Sequence, residues 1–292
     1  MKPAAGEPQP PRELSRRRLL KRAGLLAGLL PVGAAAIDGV LVTPRRLVTS
    51  DHAFGGGDPA TRLRVLQVSD LHVRRIGTLE RQLLEQLHDS HADLIVITGD
   101  SIDHDRALPP LDALLAEFPT APRLLAILGN WEYRCRVDLD ALEKIYARHG
   151  VELLVNRSVT LAHRGRTIRI TGLDDIREGR PDAAAALADS RPLDHHLVLA
   201  HCPITRDDLG LPAAHAASLV LSGHTHGGQV APCGIATILP PGCGRYVAGW
   251  YRDGGPPLYV SRGIGTSLLP VRIGASPELV RIDWLLGEPS VA

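Results

Sequence analysis

From residue 63 onward the chain alternates short apolar runs with stretches in which apolar residues recur every three or four positions. Residues 63–68 form an apolar run that stops at Ser69-Asp70. Residues 78–89 place Leu79, Leu83, Leu84 and Leu87 on one side of a helix. Leu94-Ile95-Val96-Ile97 is a run of the kind buried on both faces of a sheet, and it ends at Thr98-Gly99-Asp100. Residues 111–118 read as a helix, 124–128 as a strand ending at Gly129-Asn130, and 139–149 as a helix stopped by Gly150. Residues 158–162 and 167–171 flank His163-Arg164-Gly165-Arg166 as a hairpin. Residues 181–188 make an Ala-rich helix, and 196–200, 218–221, 258–260 and 279–284 read as strands. This alternation predicts one α/β domain over residues 63–286. Residues 42–62, with Pro44, Gly55-Gly56-Gly57 and Pro59, read as a linker, and 287–292 as a tail.

Five of the apolar runs end in polar residues able to carry chemistry. They give Asp70-Leu71-His72, Gly99-Asp100, Gly129-Asn130, Ala200-His201 and Gly223-His224-Thr225-His226-Gly227-Gly228. Neighbouring strand ends in a parallel sheet lie side by side, so Asp70, Asp100 and Asn130 are expected to converge. Asp70 and His72, like His224 and His226, are two residues apart and are expected to share a face of an extended segment. Two Asp, one Asn and four His mix hard oxygen with imidazole, which suits Mn, Fe or Zn and suits Ca poorly. Seven ligands exceed one tetrahedral site and suffice for two ions if a carboxylate bridges them. Two ions about 3.5–4 Å apart are a device for in-line displacement at phosphorus.

The order Asp70-x-His72, Gly99-Asp100, Gly129-Asn130, His201, Gly223-His224-x-His226 resembles the calcineurin-like metallophosphoesterases over roughly residues 63–284. The resemblance implies an α/β fold, a two-sheet αββα sandwich. It implies a dinuclear metal-dependent phosphohydrolase acting on a phosphomonoester or phosphodiester, with two divalent transition metal ions (Mn, Fe or Zn) supplying the attacking hydroxide. Carried over by position, Asp70, His72 and His226 would hold the first ion, Asn130, His201 and His224 the second, and Asp100 would bridge. Asp100, Trp131 and His201 are then the positions expected at the reacting centre.

One departure matters. The family's block after the third strand is Gly-Asn-His-Asp/Glu, and here it is Gly129-Asn130-Trp131-Glu132. An indole donates one N–H and carries no proton to exchange near neutral pH, so Trp131 cannot serve as a general acid. A lost general acid costs about 10²–10⁴-fold. The alternative reading is therefore a metal-binding pseudoenzyme or scaffold with weakened catalysis. His104 is the nearest histidine in sequence that such a site would recruit. Arg134 and Arg136 are candidates for gripping a substrate phosphate. Asp103 reads as an orienting or solvated carboxylate, Asp174-Asp175 as a turn, and His195-His196 as exposed rather than ligating.

Charge narrows the partners. With 33 Lys+Arg against 32 Asp+Glu the formal net charge is +1, and aromatics make up 3%. That excludes a strong electrostatic or stacking footprint for nucleic acid. The N-terminal Ser15-Arg16-Arg17-Arg18-Leu19-Leu20-Lys21 before a weakly apolar run over 23–37 resembles a twin-arginine export signal, placed at residues 1–41. It is removed after Ala34-Ala35-Ala36 or retained as an anchor. Either way the body is expected in the periplasm, cell envelope or anchored outside the cytoplasm, with an envelope or lipid-linked phosphoester as substrate. Export permits disulfides, and Cys233 with Cys243 is the best candidate pair among four cysteines, two free thiols being the other reading.

Overall fold

The computed structural model describes residues 38–188 and 190–288. The strands are β1 (Val48–Gly55), β2 (Arg62–Val68), β3 (Leu94–Thr98), β4 (Arg123–Ile127), β5 (Val151–Leu153), β6 (Arg157–His163), β7 (Arg166–Gly172), β8 (His195–Leu199), β9 (Leu219–Ser222), β10 (Gly249–Tyr251), β11 (Leu258–Val260) and β12 (Glu278–Leu285). The helices are α1 (Thr78–Asp89), α2 (Leu108–Ala116), α3 (Asn130–Arg134), α4 (Leu139–Arg148) and α5 (Ala183–Leu187). Two six-stranded sheets result, ordered β1-β12-β2-β3-β4-β5 and β10-β11-β9-β8-β7-β6.

The continuous apolar runs are explained by burial on both faces. Along β3, Leu94 and Val96 face the second sheet, while Ile95 and Ile97 face the layer of α1, α2 and α4. Along β8, Leu197 and Leu199 point to the inter-sheet core and Val198 to the opposite face, where it joins a cluster with Tyr246 and with Leu258 and Val260 of the same sheet. A period of two with no polar position is what a strand between two apolar layers requires.

Several expectations are corrected. Residues 42–62 are not a simple linker: β1 lies inside them and pairs in parallel with β12, from Val48 opposite Glu278 to Gly55 opposite Leu285. Its sequence VTSDHAFG hid it because it is an edge strand, with only His52 and Phe54 turned towards aromatic partners such as Trp250 and Tyr259. Helix α2 begins at Leu108, not 111, because Pro109 and Pro110 sit in its first turn, where no N–H is needed. The His195-His196 pair is buried, not exposed, since β8 is an interior strand. Cys233 and Cys243 form no disulfide; all four cysteines are free thiols, Cys233 on an exposed turn and Cys243 buried. The twin-arginine stretch lies outside the described residues. Among those described, no helix is long and apolar enough to cross a membrane.

Candidate metal centre

Strands β2, β3 and β4 are parallel neighbours in one sheet, and β8 and β9 are parallel neighbours in the other. The residues following each strand therefore meet at one end of the sandwich. Backbone bonds lock them: Asp70 N–H donates to Gly99 O (3.1 Å), His72 N–H to Asp100 O (3.0 Å) and Gly223 N–H to His201 O (3.0 Å). Bonds across the sheets fix the two halves in register. Gln67 Nε2 donates to Ser222 O (2.9 Å), and the His224 N–H lies 3.0 and 3.1 Å from the two Asp70 oxygens.

Two buried groups of side chains result: Asp70 with His72 and His226, and Asp100 with His201 and His224. Within each group one ligand atom per residue lies within 4.8 Å of the others. Asp100 stands between them, its Oδ2 being 3.1 Å from His201 Nε2 and 3.7 Å from His72 Nε2. Asn130 Oδ1 is 3.2 Å from His201 Nε2. The expectation that His224 and His226 share a face is corrected: they fall in different groups. Residues 223–226 are a turn rather than extended chain, with φ of +71° at His224 and +50° at His226.

Left-handed backbone recurs across the site, at five of its seven residues. Asp70, His72 and Asp100 have φ of +51°, +40° and +53°. Such conformations cost of order 1–3 kcal/mol each and persist only where the surroundings over-determine them. Gly129 is required here by close approach, because a Cβ would collide with Asp100 Oδ1.

The electrostatics of the site are set by burial and by the carboxylate–imidazole pairs within it. Burial pushes the Asp70 carboxyl up. Burial pushes Asp100 up as well, yet His201, its hydrogen bond and His72 together hold it below the carboxylate range. Burial lowers His72, His224 and His226, with His201 adding to the fall of His224, and His72 and Arg272 to that of His226. Neutral imidazole is the ligand form. His201 is the exception: burial works against its protonation, but Asp100 and Asp70 draw it well above its usual value. Both ring nitrogens of His72 are buried without a hydrogen-bond partner among the described residues. Buried donors and acceptors are seldom left unpaired without a reason, and a metal ion held by His72 would supply one.

Supporting residues escaped the sequence reading. Glu132 is buried and raised to about 7, by burial first and by Asp100 second. Its two oxygens accept from Ser101 N–H (2.6 Å) and Gly129 N–H (3.0 Å), tying the Asp100 loop to the Asn130 loop. Ser69 Oγ donates to Asp70 Oδ2 (2.6 Å). Arg272, fully buried, donates to the carbonyls of Gly263, Gly265 and Ala275 and lies 3.3 Å from His226 Nδ1. A carboxylate three residues after a loop glycine was the one available signal for Glu132; nothing local marks Arg272.

The other predicted residues lie around the rim. The Trp131 ring stands edge-on to His72, with centroids 5.7 Å apart, and the Arg134 guanidinium carbon lies 5.4 Å above the indole. Arg134 and Arg136 are exposed. His104 is exposed and within 3.5 Å of Asp103, which instead accepts from Arg74 (2.7 Å). His104 is in neither group. Asp174 and Asp175 form a buried turn: Asp174 accepts from Tyr133 Oη (2.6 Å) and Asp175 from Cys202 Sγ (3.1 Å).

Residues 63–228 match the calcineurin-like phosphoesterase family model. An uncharacterized metallophosphoesterase of Bacillus subtilis, YkuE, is 30% identical over 285 residues, covering 92% of this chain and 96% of the relative. The phosphodiesterase YaeI of Escherichia coli is 27% identical over 232 residues, covering 77% of this chain and 83% of the relative. Among solved structures, TT1561 of Thermus thermophilus shares 15% identity at a TM-score of 0.46, covering 70% of this chain and 91% of that one. A metal-dependent phosphoester hydrolase is what the two carboxylate–imidazole groups, the family match and the related sequences describe, and the chain belongs to the calcineurin-like phosphoesterase family.

Proposed function

We propose that the chain is a dinuclear phosphohydrolase that acts outside the cytoplasm on an envelope phosphodiester or phosphomonoester. The observation that carries the nuclearity is the position of Asp100, whose Oδ2 faces a histidine of each group. In this reading Asp70, His72 and His226 hold one ion, Asn130, His201 and His224 hold the other, and Asp100 is shared. The donor set fits Mn, Fe or Zn. A pair of such ions, when bound, supplies a nucleophile at neutral pH and neutralises charge on the phosphoryl oxygens.

The chain's own residues do the rest. Trp131 N–H donates to Asp100 Oδ1 (2.9 Å), leaving Oδ2 for the site. His201 Nδ1 is 2.8 Å from Thr98 O, so it donates there and presents Nε2 inward. His224 Nε2 bonds Pro241 O (2.9 Å) and leaves Nδ1 inward. Each bond selects a tautomer and a ring orientation for the ligand. The Trp131 indole stands against the His72 ring and offers no exchangeable proton. Export by the twin-arginine route is supported by residues 15–37 of the sequence.

The test is elemental analysis of protein purified from its native host, together with turnover of p-nitrophenyl phosphate and bis-p-nitrophenyl phosphate with added manganese. Two equivalents of transition metal and turnover of either ester are expected. A metal-free protein that hydrolyses neither ester with any cation overturns the proposal. Trp131 also favours a second reading, a metal-binding scaffold with residual catalysis. It predicts full metal loading with turnover that stays negligible on every ester.

A further inference from the structure

A cleft of about 460 Å³ opens beside His72, and Arg45, Arg74 and Arg75 line it together with Val40 and Pro270. Next to these arginines the protein exposes aliphatic side chains from two segments far apart in sequence. Val40, Leu41 and Val42 are 44%, 49% and 50% exposed, and Leu268 and Leu269 are 75% and 66% exposed. Each segment is anchored through its backbone carbonyls. Arg272 N–H donates to Gly39 O (2.8 Å), and Gln229 Nε2 donates to Ser267 O (3.1 Å) and Leu269 O (3.0 Å). The Leu268 backbone is left-handed, at φ +59°. The leucines are thus held outward by bonded backbone.

Scattered exposed aliphatics need no explanation, but a group beside a cationic cleft marks an interaction surface. The chemistry selects its occupant. Aliphatic side chains without aromatics suit acyl chains, and arginines beside them suit phosphate groups at the bilayer surface. Among the described residues Arg75 makes no ion pair, so its charge is available to such a group. The described chain begins at Asp38 on this same face, and the residues before it, 23–37, are an apolar run. The sequence that leads into this face is thus lipid-compatible in composition.

We propose that the face of Val40–Leu41–Val42 and Leu268–Leu269 docks on an anionic lipid bilayer, so that the cleft beside His72 opens onto the membrane surface. The docking stands on the rim and the arginines; its consequence, a lipid-borne phosphoester as substrate, rests on the phosphohydrolase reading above.

The test uses the full chain, so that the leading segment contributes equally to every variant. Sedimentation is compared with vesicles of phosphatidylcholine alone and of equimolar phosphatidylcholine and phosphatidylglycerol. Binding to the anionic vesicles is expected to exceed binding to the neutral ones about tenfold, in line with roughly 1 kcal/mol per basic residue at a charged surface. L268D/L269D is expected to lower that binding about tenfold while hydrolysis of soluble bis-p-nitrophenyl phosphate is unchanged, which also reports an intact fold. R75E is expected to reduce the preference for anionic vesicles. Unchanged vesicle binding by L268D/L269D overturns the proposal, because the leading segment would then bind lipid alone or cover the face itself. Absence of soluble-ester hydrolysis in the parent protein would count against the phosphohydrolase reading only; circular dichroism then reports the variant's fold and the vesicle comparison still decides docking.

Discussion

The backbone N–H of Trp131 donates to Asp100 Oδ1 at 2.9 Å, while its indole stands edge-on to the ring of His72. Position 131 thus does two separable things. The main chain orients the carboxylate between the two groups, a task any non-proline residue performs. The side chain occupies the place beside His72 without offering an exchangeable proton.

Trp131→His therefore keeps the backbone bond and adds an acid. On an ester with a poor, alkyl leaving group we expect a gain of about 10²–10⁴-fold in kcat, as general acid catalysis supplies. On p-nitrophenyl esters, whose leaving group needs no proton, the gain should be much smaller. A loss on both ester types would show that the indole is adapted to a particular substrate.

Asp100→Asn removes the charge between the groups and keeps the shape. Turnover should fall about 10³-fold or more, because charge stabilisation by ions of several kcal/mol depends on both being held. Metal content measured on the same sample should drop below that of the parent protein. Equal metal content and equal turnover would refute the bridging role.

Chelation should destabilise the fold. Without ions, the buried Asp70 and Asp100 carboxylates and the unpartnered His72 nitrogens lose their counterpart. At a free ion concentration a hundred times its Kd, a site stabilises the folded state by about 3 kcal/mol. Thermal melts with and without EDTA should therefore separate, and added manganese should restore the higher midpoint. Superimposable melts would argue that the groups bind no ion.

Away from the metal centre, His196 predicts a pH dependence of stability. Burial lowers it to about 4, and its Nδ1 lies 3.0 Å from His215 O and Nε2 2.8 Å from Thr171 Oγ1. The unfolded chain takes up the proton near 6.5 and the folded protein only near 4, so stability is full above 6.5 and falls as pH drops towards 4. Between pH 7 and pH 5 the loss is about 2 kcal/mol from this residue. Denaturant midpoints at those two pH values should show it, and His196→Asn should flatten that part of the slope.

Among the described residues the buried Arg272 has no carboxylate in ion-pair contact, and its donors serve the backbone carbonyls of Gly263, Gly265 and Ala275. Arg272→Met takes the donor from the Gly265 and Ala275 carbonyls, while Gly263 O keeps the Glu278 N–H (3.0 Å). Unsatisfied buried groups cost about 1–3 kcal/mol each, so a loss of several kcal/mol in denaturant unfolding is expected. A neutral substitution would mean that water replaces the guanidinium.

The order of apolar runs and polar strand ends was legible in the chain itself, because a strand buried on both faces has no polar position until it leaves the core. That is why β3, β8 and β9 and the residues Asp70, Asp100, Asn130 and His201 could be found without coordinates. The edge strand β1 was not legible: half of it faces solvent, so its pattern is that of a loop. The separation of His224 from His226 followed from the family resemblance and not from their spacing, which places them on one face only if the chain is extended; the turn over residues 223–226 sends them into different groups. Glu132 and Arg272 act through bonds to backbone that only folding brings near. Local periodicity is a property of one segment and its burial, and so the sequence determined which elements form and which side chains stand at their ends. Which of those side chains share a site depends on turns and on packing between distant segments, and that the tertiary structure alone decided.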